Sequence, residues 1–214
     1  MEELTALGVT FPVEIDYYIQ GSNQNMLDSA NVLKQTFSDS LGDDFVKLNI
    51  LTYVQSSTQE VYNAKKHSMV VNGWGADYGD PQNYMIQEVM GNDNAFYSRQ
   101  YSYIDDVVET EATKNLLDTY AEFTRMVEEA NEITDDLDAR YQAFAKAEAY
   151  MIQHALCFPH YYDVGWCLTK VNPYSKINAM YGCVNGKMKN WETNADGYTT
   201  EEMEAIKAAY EAEM

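Results

Sequence analysis

Apolar and polar positions alternate in part from Phe11 to Ile19, a stretch of β-branched and aromatic side chains that predicts a strand. Gly8, just ahead of it, predicts a helix stop. After the break at Gly21-Ser22-Asn23, the residues Met26, Ala30, Leu33, Phe37 and Leu41 recur at helical spacing until Gly42, where an amphipathic helix is expected to end. Strand composition returns from Phe45 to Val54. The chain thus opens on a β-α-β unit, with a crossover long enough for parallel pairing. A short helix is predicted from about Thr58 to Lys66 and a third short strand over Ser68 to Trp74, ahead of a loop rich in Gly, Asp, Pro and Asn.

Beyond that loop, Leu116, Tyr120, Phe123 and Val127 mark one helix. Leu137, Tyr141, Phe144, Glu148, Met151 and Ala155 mark another, with Thr134 as the expected N-cap. Phe158 to Tyr162 and Gly165 to Val171 read as short strands. The segment from Asn172 to Gly197, with scattered Gly, Asn and Lys around Trp191, reads as a connector. Thr199 and Glu202 stand at capping-box spacing before Met203, Ile206 and Tyr210, the apolar stripe of a terminal helix. There is no internal repeat, no low-complexity tract and no apolar run near the roughly 20 residues that span a bilayer.

Composition narrows the function. At 214 residues the chain has room for one large domain or slightly more, and 46% hydrophobic with 22% charged residues excludes wholesale disorder and a disulfide-dense miniprotein. Fourteen basic against thirty-four acidic side chains leave a net charge of −20, which repels phosphate backbones and argues against a nucleic-acid partner. The opening Met1-Glu2-Glu3 is acidic where a signal peptide is basic. Cys157, Cys167 and Cys183 lack the doublets of a zinc or redox site, and Cys157 with His160 supplies only two ligands. The acidic run Glu128, Glu129, Glu132, Asp135, Asp136 and Asp138 lacks the glycine of a calcium loop and reads as a solvated face. No metal site or cofactor is therefore expected. No nucleophile elbow, phosphate loop or HExxH pattern occurs, so no catalytic residue is assigned. Eighteen tyrosines against seven phenylalanines suit an adaptable binding surface, although half-buried strand positions could absorb most of them.

The loop Gly73-Trp74-Gly75-Ala76-Asp77-Tyr78-Gly79-Asp80-Pro81 concentrates the remaining chemistry. Trp74 offers a flat apolar wall, Asp77 a fixed negative charge, and the glycines close approach of backbone to a ligand. On residue types alone the competing reading is the favoured one, since turns so often carry Asp, Gly and Pro: Trp74 packs in a core, and Asp77 and Asp80 only stabilise a turn before Pro81.

This loop resembles the Gly-Trp-x-Ala-Asp-Tyr-x-x-Pro signature of the extracellular oligopeptide-binding proteins of ATP-driven (ABC) importers, bacterial solute-binding protein family 5. The strand Phe11 to Ile19, the helix Asn25 to Leu41, the helix around Tyr141-Gln142-Ala143-Phe144-Ala145-Lys146-Ala147-Glu148 and the segment Phe158-Pro159-His160-Tyr161-Tyr162 follow in the family's order. The resemblance implies an α/β fold, one lobe of a type II periplasmic-binding-protein kind, with a βαβ core and flanking helices. Residues 1–171 would form the second lobe. Residues 172–214 would form a connector and terminal helix returning to a first lobe that this chain lacks. Met1 is then expected to open a fragment, which would account for the missing signal sequence and lipid-anchor cysteine.

By the same resemblance Asp77 would anchor a peptide's α-ammonium, Trp74 and Gly75 would line the ligand, and either Tyr161 or Tyr162 would face the cleft. The implied partners are a peptide and the transmembrane subunits of an ABC permease. The implied location is the bacterial surface or periplasm, with membrane attachment only through an anchor outside this chain. The expected role is capture without covalent chemistry. Two departures stand out: Val71 stands where some relatives carry an arginine, so an anchor for the carboxyl end of a short ligand is not implied, and Gly75 stands where some carry a cysteine and offers no such bridge. The shared scaffold also admits a nickel chelate, haem or sugar as cargo. An acidic hydrolase and a tyrosine-rich interaction module are the rivals from other classes.

Overall fold

The computed structural model describes residues 1–162, 169–176 and 188–213. It is a mixed α/β chain that divides into two compact units. One comprises Met1–Gly73 with Gln87–Glu128, the other Trp74–Ile86 with the chain from Glu129 onward.

The first unit holds the β-α-β motif. A short helix α1 (Glu2–Ala6) ends just before Gly8, which takes φ +87°. Strands β1 (Val13–Gln20) and β2 (Val46–Tyr53) pair in parallel, in a register running from Val13 opposite Val46 to Gln20 opposite Tyr53. Between them runs α2 (Gln24–Leu41). Its N-cap is Asn23, whose side chain accepts from the Met26 N–H at 3.1 Å, and its C-cap is Gly42 at φ +83°. The positive φ favours glycine there; a Cβ would meet only the Asp44 carboxylate, the end of an exposed side chain that can swing aside. Strand alternation sends Ile15, Tyr17 and Ile19 to one face of the sheet together with Leu48 and Ile50, and α2 lays Met26, Leu27, Ala30, Leu33 and Phe37 against them. Burial of this layer is what holds the helix on the sheet.

The expected third strand over Ser68 to Trp74 does not form as a strand. Only Met69 bridges to Tyr17, with the Ser68 N–H donating to the Asp16 carbonyl at 2.9 Å. Further along, side chains take over: Asn72 Oδ1 accepts from the Gly73 N–H at 2.8 Å, while the Asn72 amide donates to the Tyr101 hydroxyl, and no ladder continues. The helix expected from Thr58 to Lys66 shortens to a π-helical turn, Thr58–Tyr62. The Glu60 carboxylate collects the Val54, Gln55 and Ser56 N–H groups ahead of it, and Lys65 adopts φ +48° beyond it.

In the second unit a single turn, α3 (Gln82–Met85), packs against α5 (Leu137–Gln153). Helix α4 (Lys114–Glu132) runs into this unit with its last residues. The N-cap of α5 is Asp136 rather than Thr134: its side chain accepts from the Ala139 N–H at 2.9 Å, the reach that capping requires. Phe144, Ala147 and Met151 form the buried stripe of α5. The capping box ahead of α6 (Thr200–Glu213) forms in both directions: Thr199 N–H to Glu202 Oε2 at 2.8 Å, and Glu202 N–H to Thr199 Oγ1 at 3.2 Å.

Phe158 to Tyr162 is not a strand. No described segment pairs with it, and Tyr161 and Tyr162 stand 72% and 85% exposed, so alternation buries neither ring. Of the strand expected over Gly165 to Val171, residues 165–168 lie outside the described residues, and Val171 makes one antiparallel bridge, to Thr193. Within the connector, Pro173–Ser175 form a 3-10 turn capped by Asn172, which also bonds Glu192 through backbone and side chain. Among the described residues no helix is long and apolar enough to cross a membrane.

The β-α-β layer yields a stability test. Leu48, 2% exposed, lies under α2, so Leu48→Ala is expected to cost about 2–5 kcal/mol in urea unfolding followed by circular dichroism. Val54→Ala at a 76% exposed position should stay within about 0.5 kcal/mol.

Candidate functional site

The second unit begins at Trp74, and the Gly-Trp-Gly-Ala-Asp segment is neither helix nor strand before it turns into bends over 77–80. What shapes it is Asn83, on the first turn of α3 and only 5% exposed. Its side-chain carbonyl Oδ1 accepts two hydrogen bonds, from the Trp74 indole N–H and from the Asp77 backbone N–H, each at 2.9 Å. One buried acceptor therefore ties the tryptophan ring and the aspartate backbone together, and each bond is worth about 1 kcal/mol net.

The result separates main chain from side chain at Asp77. Its N–H is consumed, whereas its carboxylate is exposed and has no hydrogen-bond or ion-pair partner among the described residues. Trp74 is half-buried, and Ala76 between them is buried. At Gly75 an added Cβ would meet nothing within 4 Å, so the backbone there is bare on the side where a side chain would stand.

Three residues on, Asp80 has the opposite surroundings. Arg140, in the first turn of α5, donates from Nε to Oδ2 at 2.8 Å and from Nη2 to Oδ1 at 2.9 Å, a bidentate pair with side chains 12% and 24% exposed. Asp80 Oδ1 also accepts the Gln82 N–H at 2.9 Å. Arg140 Nη1 reaches the carbonyls of Ala130, Asn131 and Ile133 at the C-terminal end of α4, at 3.2, 2.9 and 3.0 Å. The guanidinium lies 4.9 Å over the Phe144 ring. One cation thus closes a helix end, anchors the loop and packs on the α5 core. The bonds from Arg140 hold the Asp80 carboxyl below its ordinary range, and the same bonds raise Arg140.

Of the residues singled out in the sequence, Trp74, Gly75 and Asp77 are brought together on one loop. Tyr161 and Tyr162 lie in the same unit, exposed, on the segment after α5 that is neither helix nor strand. Asn83 and Arg140 were missed. Arg140 carried a signal, since it is the one basic side chain amid Asp135, Asp136 and Asp138; Asn83 carried none.

A mixed α/β chain with this loop is similar to oligopeptide-binding proteins. No protein-family model matches it. The oligopeptide-binding protein AliB of Streptococcus pneumoniae is 26% identical over 168 residues, 74% of this chain and 24% of its own length. AmiA of the same species, also an oligopeptide-binding protein, is 25% identical over 192 residues, 84% of this chain and 28% of its own length. The oligopeptide-binding protein SarA of Streptococcus gordonii is 27% identical over 197 residues, 86% of this chain and 28% of its own length. The chain therefore spans about a quarter of the length of the curated relatives it matches. The similarity read from its residues extends over most of the chain.

The clamp has a pH signature. The folded Asp80 carboxyl is depressed, so its contribution to stability is complete above the ordinary carboxylate range and is lost as pH falls through the depressed value. Asp80→Asn is expected to cost about 2–3 kcal/mol near neutrality. Its deficit against the parent should narrow below about pH 4 in urea titrations across pH.

Proposed function

We propose that this chain is one lobe of a type II periplasmic-binding-protein-like receptor, carrying one face of a cleft that captures oligopeptides for an ABC importer. The observation that carries the reading is an exposed Asp77 carboxylate without a hydrogen-bond or ion-pair partner among the described residues, on a loop where Asn83 Oδ1 accepts from both the Asp77 N–H and the Trp74 indole N–H. The similarity to oligopeptide-binding proteins supports it. In this reading residues 1–171 form the lobe, and 172–214 are a connector and terminal helix that pack on a further lobe.

Asp77 takes the peptide's α-ammonium. A carboxylate that already has an internal cation gains little from another, so Asp80 is unsuited to the task and Asp77 is free for it. Trp74 walls a side-chain pocket, bare backbone at Gly75 admits close approach, and one of Tyr161 and Tyr162 closes on the ligand from the segment after α5. Peptide main chain supplies groups common to every sequence, so tolerance of side chains follows. The two lobes close over the ligand by a hinge and present it to the permease at the bacterial surface or in the periplasm. Capture and release involve no covalent chemistry.

The test uses tripeptides with a free or an acetylated N-terminus. The 214-residue chain is expected to bind the free-amine form weaker than micromolar, because it carries one face only, with NMR shifts centred on residues 74–77. Acetylation or Asp77→Asn should remove those shifts while the circular dichroism spectrum is unchanged. Equal binding of the acetylated peptide, or binding that survives Asp77→Asn, sinks the assignment.

A further inference from the structure

Beside the loop, the second unit contains an open groove of about 350 Å³ between Tyr78 and Pro81 on the loop, Tyr84 and Met85 on α3, and Tyr141 and Glu148 on α5. Three of its walls are tyrosine rings left 48%, 45% and 42% exposed at Tyr78, Tyr84 and Tyr141. Tyr78 is oriented by a hydrogen bond from its hydroxyl to Gln82 Oε1. Tyr141 and Glu148 are seven residues apart, two helical turns along one face of α5, so their backbone positions lie about 10 Å apart along the helix axis.

Its electrostatics are one-sided. The carboxylate of Asp80, also on the wall, is neutralised by Arg140, and that guanidinium is committed to Asp80 and to three carbonyls. Glu148 is exposed and has no ion pair among the described residues. The groove is therefore lined by three tyrosines, by the apolar Pro81 and Met85, and by one carboxylate without an ion pair among the described residues, on a chain of net charge −20.

We propose that this groove receives the side chain of a lysine or arginine borne on a peptide. The methylene stem lies on Pro81 and Met85, the cationic head meets the tyrosine faces, and Glu148 takes its charge. An aliphatic side chain would leave the carboxylate unanswered, and an acidic one would be repelled. The proposal deepens the peptide-binding reading by naming a preferred residue class, and it rests on that reading for the cation arriving on a peptide. It does not depend on Asp77.

The experiment titrates the 15N-labelled chain with N-acetylated, C-amidated Gly-Lys-Gly and with the norleucine counterpart, probes that have no α-ammonium. Saturable shifts are expected within residues 78–85 and 141–148 for the lysine peptide, with the norleucine peptide at least about fivefold weaker. Glu148→Gln should weaken the lysine peptide by about fivefold, and Tyr84→Leu should weaken it as well. Glu201→Gln, which removes one charge on α6, should leave it unchanged. Equal response to both peptides, indifference to Glu148→Gln, or no saturable shift up to about 20 mM overturns the proposal. A neutral peptide with a free amine reports on Asp77 alone, so either reading can fail without the other.

Discussion

The second unit depends on one cation. Arg140 uses its planar fork to hold Asp80 with two bonds and its remaining donors to close the last carbonyls of α4, while its flat face rests on Phe144. A lysine could not do this, because a single ammonium point charge cannot satisfy a bidentate carboxylate and a helix end together. The bond pattern sets where α5 begins relative to the loop and to the end of α4. It also sets the loop's charge, since Asp80 is neutralised internally.

That neutralisation makes Asp77 distinctive. Two aspartates three positions apart on one loop experience opposite fields. Asp80 faces a partly buried guanidinium, and Asp77 faces solvent with its backbone held by Asn83. In a chain of net charge −20 an isolated exposed carboxylate is unremarkable as charge. What sets it apart is its anchorage: the same Asn83 oxygen that holds its backbone N–H also holds the Trp74 indole N–H, so the two residues share one buried acceptor.

The first unit is built by a different physics. Parallel pairing of β1 and β2 leaves one sheet face apolar, and α2 covers it with a stripe whose spacing matches the helical repeat. Local preference, capping at Asn23 and Gly42, and burial all favour the same arrangement. Where they disagree, structure is lost: at Asn72 the side chain competes for backbone donors, and the third strand reduces to one bridge.

The elements legible from sequence alone are those specified by neighbours within a few residues. The β-α-β order, the ends of α2, the long helices α4 and α5 and the capping box at Thr199 and Glu202 all rest on periodicity and short-range hydrogen bonds. The Trp74 to Asp77 cluster was visible as a motif because its residues are contiguous. Tertiary structure alone decided the rest. Arg140 meets Asp80 across 60 positions, Asn83 turns a nondescript amide into the acceptor that organises the loop, and Tyr161 and Tyr162 stand exposed. Strand pairing and buried ion pairs are contacts between distant positions, and no local pattern in the chain encodes the partner that completes them.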